Sequence, residues 1–120
     1  MPTEQDVRAM FLALPEAEEV VIEAWGDQPT FRVRKKMFGM MGYDAPTVCL
    51  KATRETQAAL VEEDPDIFSP QPFFGRFGWI DVVLAKVDHE ELAELVEEAW
   101  RLTAPKRVIK AYDAEVPPDA

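Results

Sequence analysis

The sequence predicts an α+β fold of two layers, an antiparallel five-stranded sheet with helices packed on one face, in the order α-β4-α-β-α-α. Three observations carry this. Helix-like and strand-like periodicities fall in segregated runs instead of alternating one by one. The links between the first four strands are too short for parallel crossovers, which leaves an antiparallel meander. The 120 residues, 48% of them hydrophobic, suit one domain with a real core.

Each element has its own signal. Thr3 and Asp6 have the spacing of a capping box, and Val7, Met10, Phe11 and Leu14 then form one stripe of an amphipathic helix that Pro15 ends. Strands are expected over Val20–Trp25, Thr30–Arg34, Met37–Met41 and Thr47–Lys51, with turns at 26–28 and 43–46. Thr53 caps a second helix that stops at Asp64-Pro65. Residues 64–78 read as irregular, and a fifth strand follows at Trp79–Leu84. Asp88 and Glu91 begin a third helix, with Leu92, Leu95, Val96, Ala99 and Leu102 as its buried stripe. Pro105 suits the first position of a fourth helix reaching Tyr112. The domain is expected over residues 1–112, and 113–120 as a flexible tail.

Composition narrows the function classes. Thirteen basic against 23 acidic residues give a formal net charge of -10, which repels polyanions at long range. Nucleic-acid affinity comes largely from basic groups displacing counterions, so a nucleic-acid site would have to be a local basic patch on an acidic body. The lone cysteine allows no intramolecular disulfide. The polar start and the lack of a membrane-length apolar run point to the cytoplasm and to no membrane partner.

No catalytic, metal-binding or cofactor constellation can be assembled. His89, the single histidine, falls in a capping turn among acids, without the second His or Cys cluster of a zinc site. Cys49 lies mid-strand between apolar neighbours, on the face opposite the helices, with no local base to activate it. The acidic clusters 16–19, 62–66 and 90–98 read as solvated surface, and the glycines form no phosphate loop.

Two segments remain as binding candidates. In the run 32–36, alternation projects Arg32 and Arg34 from one face of a strand, with Lys36 and Lys51 nearby; such cations suit phosphate or carboxylate contacts. The bland alternative is charge that protects a hairpin or edge strand. The loop 68–79 holds Phe73, Phe74, Arg76 and Trp79, where an arginine among rings could stack on a base or grip an anion. Its bland alternative is a lid that closes one end of the core.

Along these segments the chain resembles the MmcQ/YjbR family. The resemblance runs through Leu14-Pro15-Glu16, Trp25-Gly26, Pro29-Thr30-Phe31-Arg32-Val33, Lys36-Met37-Phe38, Cys49-Leu50-Lys51, Phe73 with Gly78-Trp79, and Ala104-Pro105-Lys106-Arg107, covering about residues 3 to 112. It implies a two-layer fold similar to CyaY-like or secretion-chaperone-like topologies. It also implies DNA binding through a double-wing motif, and it supplies no catalytic residues. The expectation is therefore a non-enzymatic binding module whose ligand the residues leave open, nucleic acid being the one the resemblance implies, with Arg32, Arg34, Lys36, Lys51 and the aromatic loop as its binding residues. The alternatives are a protein-interaction or chaperone-like module, homodimeric through the open face, and a small-molecule binder using residues 68–79.

Overall fold

Local signals at the N-terminus set the first helix in place. In the computed structural model, which describes residues 2–42 and 47–115, Thr3 and Asp6 cap each other reciprocally: Thr3 N–H donates to Oδ2 of Asp6 at 2.9 Å, and Asp6 N–H to Oγ1 of Thr3 at 3.1 Å. Helix α1 (Glu4–Leu12) follows. The chain continues as β1 (Ala17–Ile22), β2 (Gln28–Val33), β3 (Lys36–Met41), β4 (Thr47–Leu50), α2 (Arg54–Glu63), β5 (Phe68–Pro70), β6 (Ile80–Val83), α3 (His89–Arg101) and α4 (Lys106–Glu115).

The sheet has six strands, in the order β1-β2-β3-β4-β6-β5, and every neighbouring pair is antiparallel. The expected count of five is corrected by β5, which lies inside the segment read as irregular. This strand is three residues long and ends in Pro70. Proline gives no strand signal, and it is tolerated because β5 lies at the edge of the sheet.

Other boundaries move too, most of all at the first strand and the fourth helix. The first strand starts at Ala17 and ends at Ile22, and a short 3-10 turn holds Glu23–Trp25, so Trp25 leaves the sheet. The fourth helix runs three residues beyond Tyr112, where Oδ1 of Asp113 accepts from Nη2 of Arg101 at 2.6 Å and ties the last turn to α3. The expected turn at 43–46 and residues 116–120 of the expected tail lie outside the described residues.

One face of the sheet carries the main core. Phe31, Val33, Phe38, Val48, Leu50, Ile80 and Val82 pack against Val7 and Phe11 of α1, Leu92, Leu95, Val96, Ala99 and Trp100 of α3, and Val108 of α4. Trp100 also donates its Nε1 hydrogen to the carbonyl of Pro15 at 3.0 Å, so the indole meets no unsatisfied burial.

The β2–β3 ladder slips by one residue between Phe31 and Arg32, with the extra residue on β3. This bulge turns both Phe38 and Gly39 towards the helices. Gly39 then serves as the floor for Phe11, whose ring stacks on Phe31 with centroids 4.0 Å apart and meets Phe38 edge-on at 5.3 Å. A Cβ at position 39 would run into the Phe11 ring and lie 3.3 Å from the carbonyl oxygen of Cys49. Because Met40 comes after the bulge, it faces the other side of the sheet.

Candidate functional site

The opposite face is not bare. Cross-strand partners share a face, so pairing sets Glu18 opposite Arg32, Val20 opposite Thr30, Thr30 opposite Met40, Met40 opposite Cys49, and Cys49 opposite Asp81. Met40, Cys49 and Trp79 are buried there as a second, smaller apolar cluster, with Met37 and Phe74 against it. The cover is the loop between β5 and β6.

That loop is fixed by side chains. Gln71, 4% exposed, pairs with Trp79 by donating its N–H to the Trp79 carbonyl at 3.1 Å. Its Oε1 accepts from the backbone N–H groups of Phe73 and Phe74 at 2.7 and 2.6 Å. From α2, Nε2 of Gln57 donates to the carbonyls of Gly75 and Trp79, both at 2.8 Å, and Nε of Arg54 donates to the carbonyl of Arg76 at 2.8 Å. Gly78, at φ +104, lets the loop approach the start of α2 so closely that a Cβ would lie 2.8 Å from the carbonyl carbon of Thr53.

Held in this way, the loop creates two adjoining cavities. The first, about 310 Å³, is lined by Trp25, Met40, Phe73 and Phe74. The second, about 360 Å³, shares Phe73 and adds Thr47, Cys49, Gln71 and Asp81 among its lining residues. Phe73 is 72% exposed and Trp25 39% exposed, so two large rings meet water at the mouth of an apolar cleft. In the second cavity the Cys49 thiol donates to Oδ1 of Asp81 at 2.7 Å. Burial pushes the Cys49 thiol up, and its bond to Asp81 adds to the rise. Burial also raises the Asp81 carboxyl above its ordinary value, which the thiol bond partly offsets.

The expected site residues divide between these features. Phe73, Phe74 and Trp79 do come together, Phe74 and Trp79 with centroids 5.5 Å apart. Arg76 stands away from them, exposed, with its guanidinium 4.8 Å from the ring centre of Phe77. The cations do not converge. Arg32 faces the cleft side, where its Nε donates to Oγ1 of Thr30 at 3.3 Å. Arg34 is not in a strand. With Lys35 it forms the two-residue turn between β2 and β3, at φ 51° and 70°, and it pairs with Glu16, Nη2 to Oε2 at 3.1 Å. Lys36 is opposite Val33 and so belongs to the helix side, and Lys51 lines a cavity between β4 and α3 on that same side.

Sequence reasoning did not single out Met40, Gln71 or Asp81 as site residues. Alternation had placed Cys49 and Asp81 on one face, but only the β4–β6 pairing makes them neighbours. Among the described residues, no three His, Cys, Asp or Glu side chains converge as a metal ion would need. No described helix is long and apolar enough to cross a membrane.

Comparison with known proteins adds lineage. Over 54 residues the chain is 33% identical to an uncharacterized protein of Mycobacterium bovis and to two of Mycobacterium tuberculosis, a match covering 45% of this chain and 42% of each relative. The likeness thus spans less than half the length of those relatives. The crystal structure of Deinococcus radiodurans protein DR2400, family-model domain DUF419, superposes with a TM-score of 0.75 at 22% identity, over 85% of this chain and 78% of that one. At that identity the likeness is one of fold, and it supports the antiparallel sheet with helices. The family model described as YjbR matches residues 12–102, well over half of the chain, and agrees with the resemblance read from the sequence motifs: the protein belongs to the YjbR family.

Proposed function

We propose that this chain is a non-enzymatic binding module and that its ligand site is the aromatic cleft on the sheet face opposite the helices. One arrangement carries the reading: Phe73 and Trp25 stay exposed around a cleft walled by Met40 and Phe74, on a loop that side chains of Arg54, Gln57 and Gln71 hold in place. Exposed large rings beside a pre-formed apolar cavity are the surface of a ligand site. A loop fixed by its scaffold has little ordering entropy left to lose on binding. The reading needs neither cofactor nor metal and suits a cytoplasmic protein.

DNA binding, which the family resemblance implies, is the second reading. Arg76 lying on the exposed ring of Phe77 favours it, as a platform on which a single-stranded base could stack. A duplex gripped by a basic strip fits less well, because Arg34 and Lys36 are turned from Arg32, and Glu18 faces Arg32 across the ladder.

A thermal-shift screen with aromatic fragments tests the first reading. Fragments should raise the melting temperature of the wild-type protein. Phe73→Ala, at an exposed position, should keep its fold and lose the shift. An unchanged shift in Phe73→Ala, or no stabilising fragment at all, counts against the cleft. A shift with DNA and none with fragments would favour the second reading. A concentration-dependent dimer that buries Phe73 would make a second copy of the chain the occupant.

A further inference from the structure

The cavity next to the aromatic cleft holds two polar groups with unused hydrogen-bonding capacity. Gln71 is 4% exposed. Because two backbone N–H groups point at one end of its amide, that end must be the oxygen, and the orientation of the amide is fixed. The two hydrogens of Nε2 then have no partner among the described residues. Asp81 is half-buried; its Oδ1 takes the Cys49 thiol, and its Oδ2 has no partner among the described residues.

The two side chains lie on one face. The β5–β6 ladder pairs Ser69 with Asp81 and continues to Gln71 opposite Trp79, so Gln71 and Asp81 are diagonal neighbours. Both line the same cavity, and Phe73 is the ring beside them. Neither Nε2 of Gln71 nor Oδ2 of Asp81 is sealed from solvent, so both meet water in the cavity, and a ligand pairing with both would take the place of that water.

We infer that this cavity reads the edge of a planar heterocycle stacked against Phe73, with an N–H of the ligand on the Asp81 carboxylate and an acceptor of the ligand on the Gln71 amide: the edge of a nucleobase, taken as a neutral base or nucleoside. This deepens the proposed function and rests on the cleft being a ligand site. Charge favours the neutral form. None of Arg32, Arg34, Lys36, Lys51 or Arg76 lines either cavity, and the net charge of -10 opposes a polyphosphate. A carboxylate accepting an N–H makes the stronger, charge-assisted kind of hydrogen bond, which favours a ligand with a donor at that point.

Calorimetric titration of the whole chain tests this with three compounds. Guanosine carries the edge, 1-methylguanosine lacks the ring N–H, and quinoline stacks without offering any N–H. Guanosine should bind at least about tenfold more tightly than 1-methylguanosine, because a site built around hydrogen bonds rejects the analogue that cannot make them. Gln71→Glu keeps the oxygen that orders the loop and removes the donors. Asp81→Asn keeps an acceptor for the Cys49 thiol and removes the charge. Each should weaken guanosine by at least about tenfold.

Equal binding of guanosine and 1-methylguanosine, or unweakened guanosine binding in both variants, overturns the edge; if quinoline still binds, the cleft stands without it. If none of the three compounds binds wild-type protein, edge and cleft fall together. A single-stranded oligonucleotide binding more tightly than guanosine would overturn the neutral nucleoside in favour of the polymer.

Discussion

The thiol of Cys49 is hydrogen-bonded to Oδ1 of Asp81 at 2.7 Å across the β4–β6 ladder, beneath the loop that carries Phe73. This pairing decides the character of both groups. Burial and the neighbouring carboxylate disfavour the thiolate, which is the reactive form of cysteine. Alkylation by iodoacetamide at pH 8 should therefore be at least roughly tenfold slower in native protein than in urea-unfolded chain. Equal rates would mean that the loop does not cover Cys49.

Asp81 should limit stability in the pH range where it is charged. Its carboxyl is held above the ordinary value of 3.8, mainly by burial. The folded state thus keeps a proton at pH values where the unfolded chain has released it, and stability from this group falls as pH rises through the folded-state value. Asp81→Asn should melt at a higher temperature than wild type at pH 7. The gap should close as pH falls below 3.8. A variant that is less stable at neutral pH would contradict the assigned cause. A carboxylate that costs stability while lining a cavity is the trade expected of a functional residue.

Gly39→Ala should cost about 1–3 kcal/mol in urea unfolding, because the added methyl enters the space of a ring already stacked on Phe31 and overpacks the core. A neutral result would require Phe11 to move without loss of packing.

The hairpin turn should accept better residues. Arg34 and Lys35 both occupy left-handed backbone, a conformation that costs a side-chain-bearing residue roughly 1–2 kcal/mol. Asn-Gly is the favoured pair for such a turn. Replacing Arg34→Asn with Lys35→Gly should raise stability by about 1 kcal/mol even though the exposed pair with Glu16 is lost, since such pairs contribute little. Destabilisation would show that the Arg34–Glu16 pair outweighs the backbone strain.

Much of the fold was legible because its elements announce themselves locally. Thr3, Thr53 and Asp88 each begin a helix and accept from the third residue on, as their spacing implied. Alternation sorted Ile80, Val82 and Leu84 from Trp79 and Asp81 correctly, because period two survives wherever a strand has no bulge. It misled at positions 32–36. Arg32 and Arg34 alternate on paper, but the strand ends at Val33 and the next two residues turn, so the expected basic strip is divided among a sheet face, a turn and the helix side. β5 was hidden by its brevity and its proline. The candidate site depended on contacts distant in sequence: Gln57 of α2 holds the loop through the carbonyls of Gly75 and Trp79, and β4 brings Cys49 to Asp81. Neither relation leaves a local pattern.

The central claim is that the ligand site of this protein is the aromatic cleft and not a basic strip. Amide NMR titration tests it most directly, with an aromatic ligand in one series and a DNA duplex in the other. The aromatic ligand should shift the amides of Trp25, Met40, Phe73 and Phe74 and leave the Arg34–Lys36 hairpin unmoved, while the duplex produces no comparable shifts. Duplex-induced shifts running through Arg32, Arg34, Lys36 and Lys51, with the cleft unperturbed by aromatic ligands, would contradict it.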